Sequence, residues 1–344
     1  MLVTVPVHPP APPLRVGMIG AGGIAGAHLP AWLNLGAAVS HFSTVGAEVL
    51  AARHGGVAVG SLEELLDLVD VVDIVTPTPS HLGYIEAAAA AGKHVFCEKP
   101  LARTSADARR AIEACRAAGV QLYPGHVVRY FSEYEATHRA VAAGTVGAVA
   151  VQRFTRTGSR PGPDWFHDPE SSGGVVLDQM IHDLDFACWN AGPVDTVFAR
   201  QARIGPGTDG VVSAHVVLQH VNGAISHAAG TWAQPGTAFR TTFEIAGSDG
   251  ILRHDSGEHK PLVIDGGIRH ECAAGTGLLP DVTGISPFEL ELGEIARAFM
   301  GGDPPRVSAE DGLAAILIAE AAITSVRTGQ PVTVASIENV GVAA

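Results

Sequence analysis

Three short signatures in this sequence contain residue types that could do chemistry. The first is a glycine-rich turn, Gly20-Ala-Gly-Gly-Ile-Ala25, and the second is Glu98-Lys99-Pro100. The third sets a carboxylate and an imidazole four residues apart, at Asp178 and His182. Such a turn can bind a dinucleotide pyrophosphate, and a lysine with an aspartate and a histidine can polarise an oxygen and move a proton. Together the three are typical of a nicotinamide-dependent dehydrogenase.

The glycine-rich turn lies where a nucleotide site requires it. It follows an apolar strand predicted over Leu14–Gly20 and opens a helix predicted over Gly23–Leu35. The first glycine permits the tight turn, and the second lets the main chain approach the pyrophosphate. The helix N-terminus offers N–H groups and partial positive charge. The predicted cofactor contacts in the turn are Gly20, Gly22, Gly23 and Ile24.

The end of the next strand, predicted over Val39–Ser43, bears on the choice between NAD and NADP. An acidic residue about 20 positions after the first glycine would accept a hydrogen bond from the ribose of NAD. Ser43 and Thr44 stand there instead, and the next acid is Glu48. A hydroxyl does not repel a 2′-phosphate, although Arg53 lies a helix away. We expect NAD or NADP in contact with Ser43 and Thr44, and the pattern favours NADP slightly.

The order of strands and helices predicts an α/β protein with two domains. Up to Pro124, strands alternate with helices, which implies a doubly wound parallel sheet. Further strands are predicted over Val71–Thr76 and His94–Cys97, and helices are capped at Ser61 and Thr104. The second half has strand-like stretches around an Asn222-Gly223 hairpin turn, which indicates an open, mostly antiparallel sheet. The predicted units are a disordered leader over 1–13, a nucleotide-binding domain over 14–124 and a substrate-binding and oligomerisation domain over 125–344.

Composition limits the possible partners and location. The chain has 344 residues and a net charge of −13, which argues against nucleic acid and anionic membranes as partners. No apolar run reaches the roughly 20 residues that span a bilayer. The cysteines are far apart, with no CxxC pair, and are predicted to be reduced thiols of a cytoplasmic protein. They are Cys97, Cys115, Cys188 and Cys272.

The third signature, Asp178 and His182, lies on a helix predicted to begin after Gly174. Its apolar stripe is Leu177, Ile181, Leu184 and Cys188, and the adjacent stripe is Asp178, His182, Asp185 and Trp189. Residues four apart on a helix are neighbours, so Asp178 and His182 converge. Polar groups beside a buried stripe are costly unless they serve a cleft or satisfy one another. Two alternatives remain: a local Asp–His cross-link, and a metal site formed by Asp178, His182 and Asp185, to which His167 could be added. We predict no metal, because a lysine and a nicotinamide make one unnecessary.

The motifs together resemble one known family. Beside the three signatures they comprise Thr76-Pro-Thr-Pro-Ser-His81, Gly125-His126-Val-Val-Arg129-Tyr130, Trp165-Phe-His-Asp-Pro169, Ser172-Gly-Gly174 and the spacing of His182 to Asp185. In order and spacing the chain resembles the Gfo/Idh/MocA oxidoreductases, the family of glucose–fructose oxidoreductase and inositol dehydrogenase, from Leu14 to Val332. The resemblance implies a Rossmann domain, a second domain with a large open sheet, and a site in the cleft between them.

The resemblance also implies roles for residues. Lys99, Asp178 and His182 match the family's catalytic positions, and the proline after the lysine often follows a cis peptide bond. The expected cofactor contacts around the nicotinamide are Thr76, Pro77, Thr78, His81, Glu98 and Lys99. The expected substrate contacts are Lys99, Asp178 and His182, with His126, Arg129 and Trp165 as candidates for the cleft wall. The family's open sheet usually packs between subunits, which implies a homodimer or homotetramer.

These observations predict hydride transfer between NAD(P) and a secondary alcohol or ketone of a sugar, cyclitol or related polyol. His182 would act as general acid/base and Lys99 would stabilise a developing alkoxide. Two alternatives stay open: a cofactor-binding regulatory protein without turnover, and NAD-assisted glycoside chemistry with no net oxidation. The substrate itself depends on the loops around Arg156–His167 and Gly205–Gly210, which the sequence leaves undetermined.

Overall fold

The computed structural model describes residues 13–205, 210–257, 263–265 and 285–336. The predicted leader up to residue 12, Cys272, residues 206–209 of the second specificity loop and the C-terminal residues 337–344 lie outside the described residues. The predicted domain boundary stays a prediction. No helix in the described part of the chain is both long and apolar enough to cross a membrane.

The first sheet is parallel and has helices on both faces. Its strands are β1 (Arg15–Ile19), β2 (Ala38–Phe42), β3 (Val57–Ala58), β4 (Val71–Ile74), β5 (His94–Glu98) and β6 (Leu122–Gly125). Its helices are α1 (Ala25–Asn34), α2 (Ala47–His54), α3 (Leu62–Leu68), α4 (His81–Ala90) and α5 (Ser105–Ala118). The strands pair in the order β3-β2-β1-β4-β5-β6, which confirms the predicted doubly wound architecture.

Alternate residues of the buried strands supply two cores, one on each face of this sheet. Val16 and Met18 of β1 pack with Leu29 and Trp32 of α1, whereas Ile19 faces a core that contains Leu65 of α3. Strands buried on both faces are apolar at nearly every position, because successive side chains point to opposite sides. This explains why the sequence shows continuous apolar runs here.

Local capping fixes where the helices begin. The Ser61 hydroxyl accepts from the Glu64 N–H at the start of α3, and the Thr104 hydroxyl accepts from the Asp107 N–H at the start of α5. The Glu64 carboxylate accepts from the Gly60 N–H. Both predicted helix starts are thus confirmed, and α5 ends at Gly119 in the left-handed conformation that glycine favours.

The second sheet is mostly antiparallel. Its strands are β7 (Val149–Ser159), β8 (Val194–Ile204), β9 (Val211–His220), β10 (Ile225–Ala233), β11 (Arg240–Gly247), β12 (Ile251–Asp255), β13 (Val263–Asp265) and β14 (Val332–Thr333). In the described part of the chain they pair in the order β13-β12-β11-β7-β10-β9-β8-β14, with only β7 and β10 parallel. The predicted hairpin joins β9 to β10, and Gly223 there has a φ of +91°.

Helices of the second half cover one face of this sheet and return to the first. They are α6 (Ser132–Ala142), α7 (Pro169–Ser172), α8 (Ile181–Ala191), α9 (Pro287–Phe299) and α10 (Ala309–Thr328). Helix α10 packs on β8 and α8. Helix α9 instead packs on α1, where Leu292 and Ile295 join the core around Trp32. The two halves are therefore tied together by the returning chain as well as by the segment after β6.

The helix predicted directly after Gly174 begins differently from the expectation. Val175–Gln179 forms a π-helical turn, in which the Met180 N–H donates to the Val175 carbonyl at 2.9 Å, and the α-helix starts only at Ile181. Periodicity cannot distinguish such a wide turn from an α-helical one over five residues. Wide turns of this kind occur often at functional sites.

Candidate active site

A cavity of about 490 Å³ opens at the carboxyl ends of β1, β2 and β4. Six of the predicted cofactor contacts line it together: Gly20, Gly22, Ser43, Thr44, Thr76 and Pro77. Ligands of open α/β sheets bind at this edge, where the strand order reverses between β1 and β4. The cavity therefore has the position expected of a dinucleotide site.

The two glycines of the turn serve different purposes. Gly20 has a φ of +114°, and a Cβ there would lie 2.8 Å from the Val75 carbonyl oxygen, so only glycine fits. A Cβ at Gly22 would meet no atom within 4 Å. Space beside Gly22 is thus left open at the N-terminus of α1, which no side chain caps. This cradle fits a pyrophosphate, whose charge the helix terminus favours.

The loop after β2 contains hydroxyls but no acid. The Ser43 hydroxyl donates to the Val45 carbonyl at 2.9 Å, which holds the loop, and Thr44 is exposed. Helix α2 then begins after Gly46, and Arg53 lies at its far end. The surroundings of an adenosine ribose here would therefore be neutral.

The loop after β4 contacts the lysine segment. His81 is buried, and its two ring nitrogens lie 2.9 Å from the Pro100 and Thr76 carbonyl oxygens. Thr78 is also buried. Among the predicted nicotinamide contacts, Thr76 and Pro77 thus face the nucleotide cavity, whereas Thr78 and His81 lie behind it.

Lys99 bridges the two halves of the protein. It follows β5, and its peptide bond to Pro100 is cis, as the resemblance implies. Its ammonium nitrogen Nζ lies 2.8 Å from the Asp178 carbonyl oxygen and 3.5 Å from Asp178 Oδ1. Lys99, which follows β5 of the first sheet, thereby contacts the π-helical turn that contains Asp178, 79 residues further along the chain.

Lys99, Asp178 and His182 line one cavity of about 220 Å³. Burial first, and then the positive charges of Lys99 and Arg156, lower the pKa of His182 well below its usual value of 6.5. Its Nδ1 is buried and has no hydrogen-bond partner among the described residues. At neutral pH the ring is therefore a neutral imidazole, ready to accept a proton.

Two buried ion pairs hold the first turn of α8, which contains His182. Asp183 accepts from Nε and a terminal nitrogen of Arg156 at 2.9 and 2.8 Å, and Asp185 accepts from Nε and a terminal nitrogen of Arg129 at 2.9 and 2.6 Å. Bidentate contacts of this kind fix direction as well as position. Burial would raise the pKa of Asp185, but Arg129 outweighs it and holds that pKa below its usual range.

The other residues that line this cavity come from β7, β10, the segments next to β7 and β11, and the π-helical turn. These residues were not among the predicted site residues, although Arg156 begins one of the loops expected to determine the substrate. They are Arg156, Gly158, Ser159, Pro161, Gln179, Trp232 and Phe239. The Gln179 amide donates to the Arg156 carbonyl at 2.8 Å, which ties the π-helical turn to β7. Trp232 and Phe239 carried no local signal, because only the pairing of β7 with β10 and β11 brings them here.

The candidates for the cleft wall lie elsewhere. Arg129 lines a different cavity of about 610 Å³ beside α8 and α10, and His126 is buried with its Nδ1 3.4 Å from Asp185 Oδ2. Trp165 stacks on Phe166, with ring centroids 3.8 Å apart, and does not line the cavity of Lys99. Asp185 pairs with Arg129 and, unlike Asp178 and His182, does not line the cavity of Lys99. Contact of Arg129, His126 and Trp165 with substrate stays a prediction.

Comparison with protein-family models matches both halves of the chain. Residues 14–126 match the oxidoreductase family with an NAD-binding Rossmann fold, and residues 134–253 match the GFO/IDH/MocA C-terminal domain. The first sheet and its glycine turn are thus an NAD-binding Rossmann domain, and the protein is an oxidoreductase.

Similar proteins extend over nearly the whole chain. The chain is 32% identical to 1,5-anhydro-D-fructose reductase of Ensifer adhaerens over 334 residues, which covers 92% of this chain and 97% of that one. It is 33% identical to myo-inositol 2-dehydrogenase of Thermotoga maritima over 261 residues, 74% of this chain and 76% of that one. A crystal structure of a probable dehydrogenase from Thermotoga maritima superposes with a TM-score of 0.76 at 29% identity, covering 94% of this chain and all of the other.

The open space at Gly22 gives a direct test of the nucleotide cavity. We expect Gly22→Val to weaken NAD(H) binding at least about tenfold, because the branched side chain fills the cradle, while the melting temperature stays near that of the wild type. The matched variant Gly20→Ala should instead destabilise the fold by about 1–3 kcal/mol. Calorimetric titration and thermal unfolding measure both. Wild-type affinity in Gly22→Val would show that the pyrophosphate binds elsewhere.

Proposed function

Because this chain belongs to the Gfo/Idh/MocA oxidoreductase family, we propose that Lys99, Asp178 and His182 catalyse its reaction, hydride transfer between a nicotinamide cofactor and a secondary alcohol or ketone of a sugar, cyclitol or related polyol. The observation that supports this most is the placement of the three side chains in one cavity, with Nζ of Lys99 2.8 Å from the Asp178 carbonyl. The nucleotide cavity lies at the carboxyl edge of the first sheet, the edge at which β5 ends and Lys99 follows.

Each of the three side chains has a separate role: His182 transfers the proton, Lys99 stabilises negative charge and Asp178 orients the substrate. The nicotinamide, when bound, supplies or accepts the hydride. Neutral His182 accepts the hydroxyl proton during alcohol oxidation and returns it during ketone reduction. Lys99 has three N–H donors, and its contact with the Asp178 carbonyl leaves donors for the substrate oxygen, on which negative charge develops. The Asp178 carboxylate accepts a hydrogen bond from a substrate hydroxyl and so orients the substrate.

The substrate class is supported by the relatives and by the walls of the cavity. The two similar proteins are named for an anhydro sugar and for an inositol. The charged groups that line the cavity can bond hydroxyls, and the Trp232 and Phe239 rings, which also line it, can pack against the C–H face of a sugar ring. We therefore propose that these two rings form the aromatic wall of the substrate cavity, with Trp165 a candidate for the wider cleft wall.

We further propose that the cofactor site admits NADP as well as NAD. Ser43 and Thr44 line the cavity where an acid would repel a 2′-phosphate, and the exposed Thr44 leaves room for one. No positive side chain is present among the described lining residues, which limits the preference for NADP.

The assembly and the location are parts of the same proposal. A homodimer or homotetramer is supported by the face of the second sheet away from α8 and α10, where Val217 and Ile225 are 37% and 46% exposed on paired strands. A cytoplasmic location is supported by Cys97, Cys115 and Cys188, which are free thiols.

Removal of the catalytic groups tests the proposal. We expect Lys99→Ala and His182→Gln each to lower kcat for the best polyol by about 10²–10⁴, because each removes a group that acts on the transferred proton or the developing charge. The control is His138→Gln, a histidine stacked on Trp189 outside the cavity, which should keep wild-type turnover. Absorbance at the wavelength of reduced nicotinamide reports all three. Unchanged turnover in both active-site variants would refute the assigned chemistry.

The lowered pKa of His182 sets the pH dependence of alcohol oxidation. The neutral ring must accept a proton, and its pKa lies well below 6.5. Between about pH 8 and 6.5 the neutral fraction stays nearly constant, so kcat/KM should show no acid limb from this group until the pH falls below 6.5. A pH series on the wild type and His182→Gln measures it. A limb at or above pH 6.5 that disappears in the variant would contradict the assignment.

A single charge at Thr44 tests the choice of cofactor. We expect Thr44→Asp to lower the ratio of kcat/KM for NADP to that for NAD by about tenfold or more, because a carboxylate repels the 2′-phosphate and accepts from the ribose hydroxyl. Thr44→Asn has nearly the same size without the charge and should keep the wild-type ratio. If the two variants show the same ratio, the adenosine ribose does not lie beside Thr44.

A further inference from the structure

A buried cluster of charged side chains lies behind Lys99 and outside both cavities. It contains His28 of α1, Asp73 of β4 and Glu98 at the end of β5, all buried. His28 Nδ1 lies 3.0 Å from Asp73 Oδ2, and His28 Nε2 lies 3.2 Å from Glu98 Oε1. The indole N–H of Trp32 also donates to Asp73, at 2.7 Å. None of the catalytic roles proposed above uses this cluster.

The geometry requires His28 to be charged. A neutral imidazole has one N–H, so it can donate to one carboxylate only, whereas the imidazolium donates to both. Two buried carboxylates without a cation would be very costly. Burial opposes the charge, but Asp73 and Glu98 outweigh it and raise the pKa of His28 to about 10. The ring therefore remains an imidazolium across the neutral range.

The other titratable groups near the cluster do not change the charge required of His28. Glu291 of α9 is fully buried, and burial together with the charge of Glu98 raises its pKa well above the usual range. Glu291 therefore stays protonated and adds no further negative charge. Lys99 supplies the remaining nearby positive charge, from the cavity side of Glu98.

Glu98 connects this cluster to the main chain of the lysine. While Oε1 faces His28, Oε2 accepts from the Lys99 N–H at 2.9 Å. The partner of Glu98 on β6 is Gly125, where a Cβ would lie 3.3 Å from the Glu98 carboxylate, so glycine leaves the side chain its place. Lys99 is thus held twice: its main chain by Glu98, and its ammonium by the Asp178 carbonyl.

We propose that His28 is a positioning residue for the reaction, because its imidazolium locks the Glu98 carboxylate, which in turn fixes the main chain from which the Lys99 ammonium reaches the substrate oxygen. The inference rests on the proposed role of Lys99. A buried ion pair that only stabilised the first domain would not influence turnover in the remaining folded enzyme. The two roles can therefore be separated by kinetics.

The test combines His28→Gln with Lys99→Ala. A glutamine side chain has no charge, and its two N–H donors lie on a single nitrogen, so it cannot replace an imidazolium whose separate nitrogens face Asp73 and Glu98. The Glu98 carboxylate, and with it the main chain of Lys99, is then held less firmly. We expect kcat for the best polyol to fall by about 10–100-fold, with little change in the dissociation constant of NAD(H). Added to Lys99→Ala, the same substitution should lower the residual rate no further, because its effect passes through the missing ammonium.

A control variant removes stability without touching the cluster. Leu65→Ala opens a cavity on the opposite face of the sheet, against Gly17, and costs about 2–5 kcal/mol. Assayed where all variants are folded by circular dichroism, Leu65→Ala should keep the wild-type kcat. Nitrogen-15 spectra of the histidine rings should show one ring doubly protonated near pH 8, absent in His28→Gln.

The outcomes are distinct. If His28→Gln keeps the wild-type kcat, or loses no more than Leu65→Ala does, His28 does not position the lysine. If its loss in the Lys99→Ala background equals its loss in the wild type, it acts by a route other than Lys99, and the proposal is also overturned. If Lys99→Ala alone leaves kcat unchanged, the proposed function fails first, which the single variant reveals independently of His28.

Discussion

The contact between the Lys99 ammonium and the Asp178 carbonyl is the constraint on which the site depends. It joins a residue at the carboxyl edge of the first sheet to a turn that packs on the second. A shift of about 1 Å between such groups can cost a hundredfold in rate. The return of α9 to the first sheet is a second connection between the two halves that this contact joins.

Buried charge achieves this positioning on both sides of the contact. On the side of the second sheet, Arg156 and Arg129 hold Asp183 and Asp185 and so fix the helix that contains His182. On the side of the first sheet, His28 holds Glu98 and with it the main chain of Lys99. Such pairs contribute little net stability, because desolvation offsets their attraction. Their value lies in direction, since a bidentate or doubly bonded group has few alternative arrangements.

Features that depend on a few consecutive residues could be predicted from the sequence alone. The glycine turn, the lysine after β5 and the Asp178–His182 spacing each lie within a few residues, so residue type and order predict them. The doubly wound sheet followed from alternating apolar runs and from caps such as Ser61 and Thr104. The hairpin at Gly223 followed from turn chemistry.

Features that depend on contacts between residues far apart in the chain could not be predicted from the sequence. His28 meets partners 45 and 70 residues away, and Trp232 reaches the cavity only through the register of β7 and β10. Arg129 likewise meets its partner Asp185 across 56 residues of chain. The π-helical turn before α8 changes hydrogen bonds without changing the apolar pattern, so periodicity predicted a continuous α-helix.

Transfer of deuterium tests the central role of these groups most directly. Sugars, anhydro sugars and inositols deuterated at their carbinol carbons would be incubated with NAD or NADP, and the recovered cofactor examined by proton NMR and mass spectrometry. The proposed chemistry predicts that at least one of them labels the nicotinamide ring with the wild type, and that the label falls in parallel with turnover in Lys99→Ala. Label in neither enzyme, or equal label in both, would contradict it.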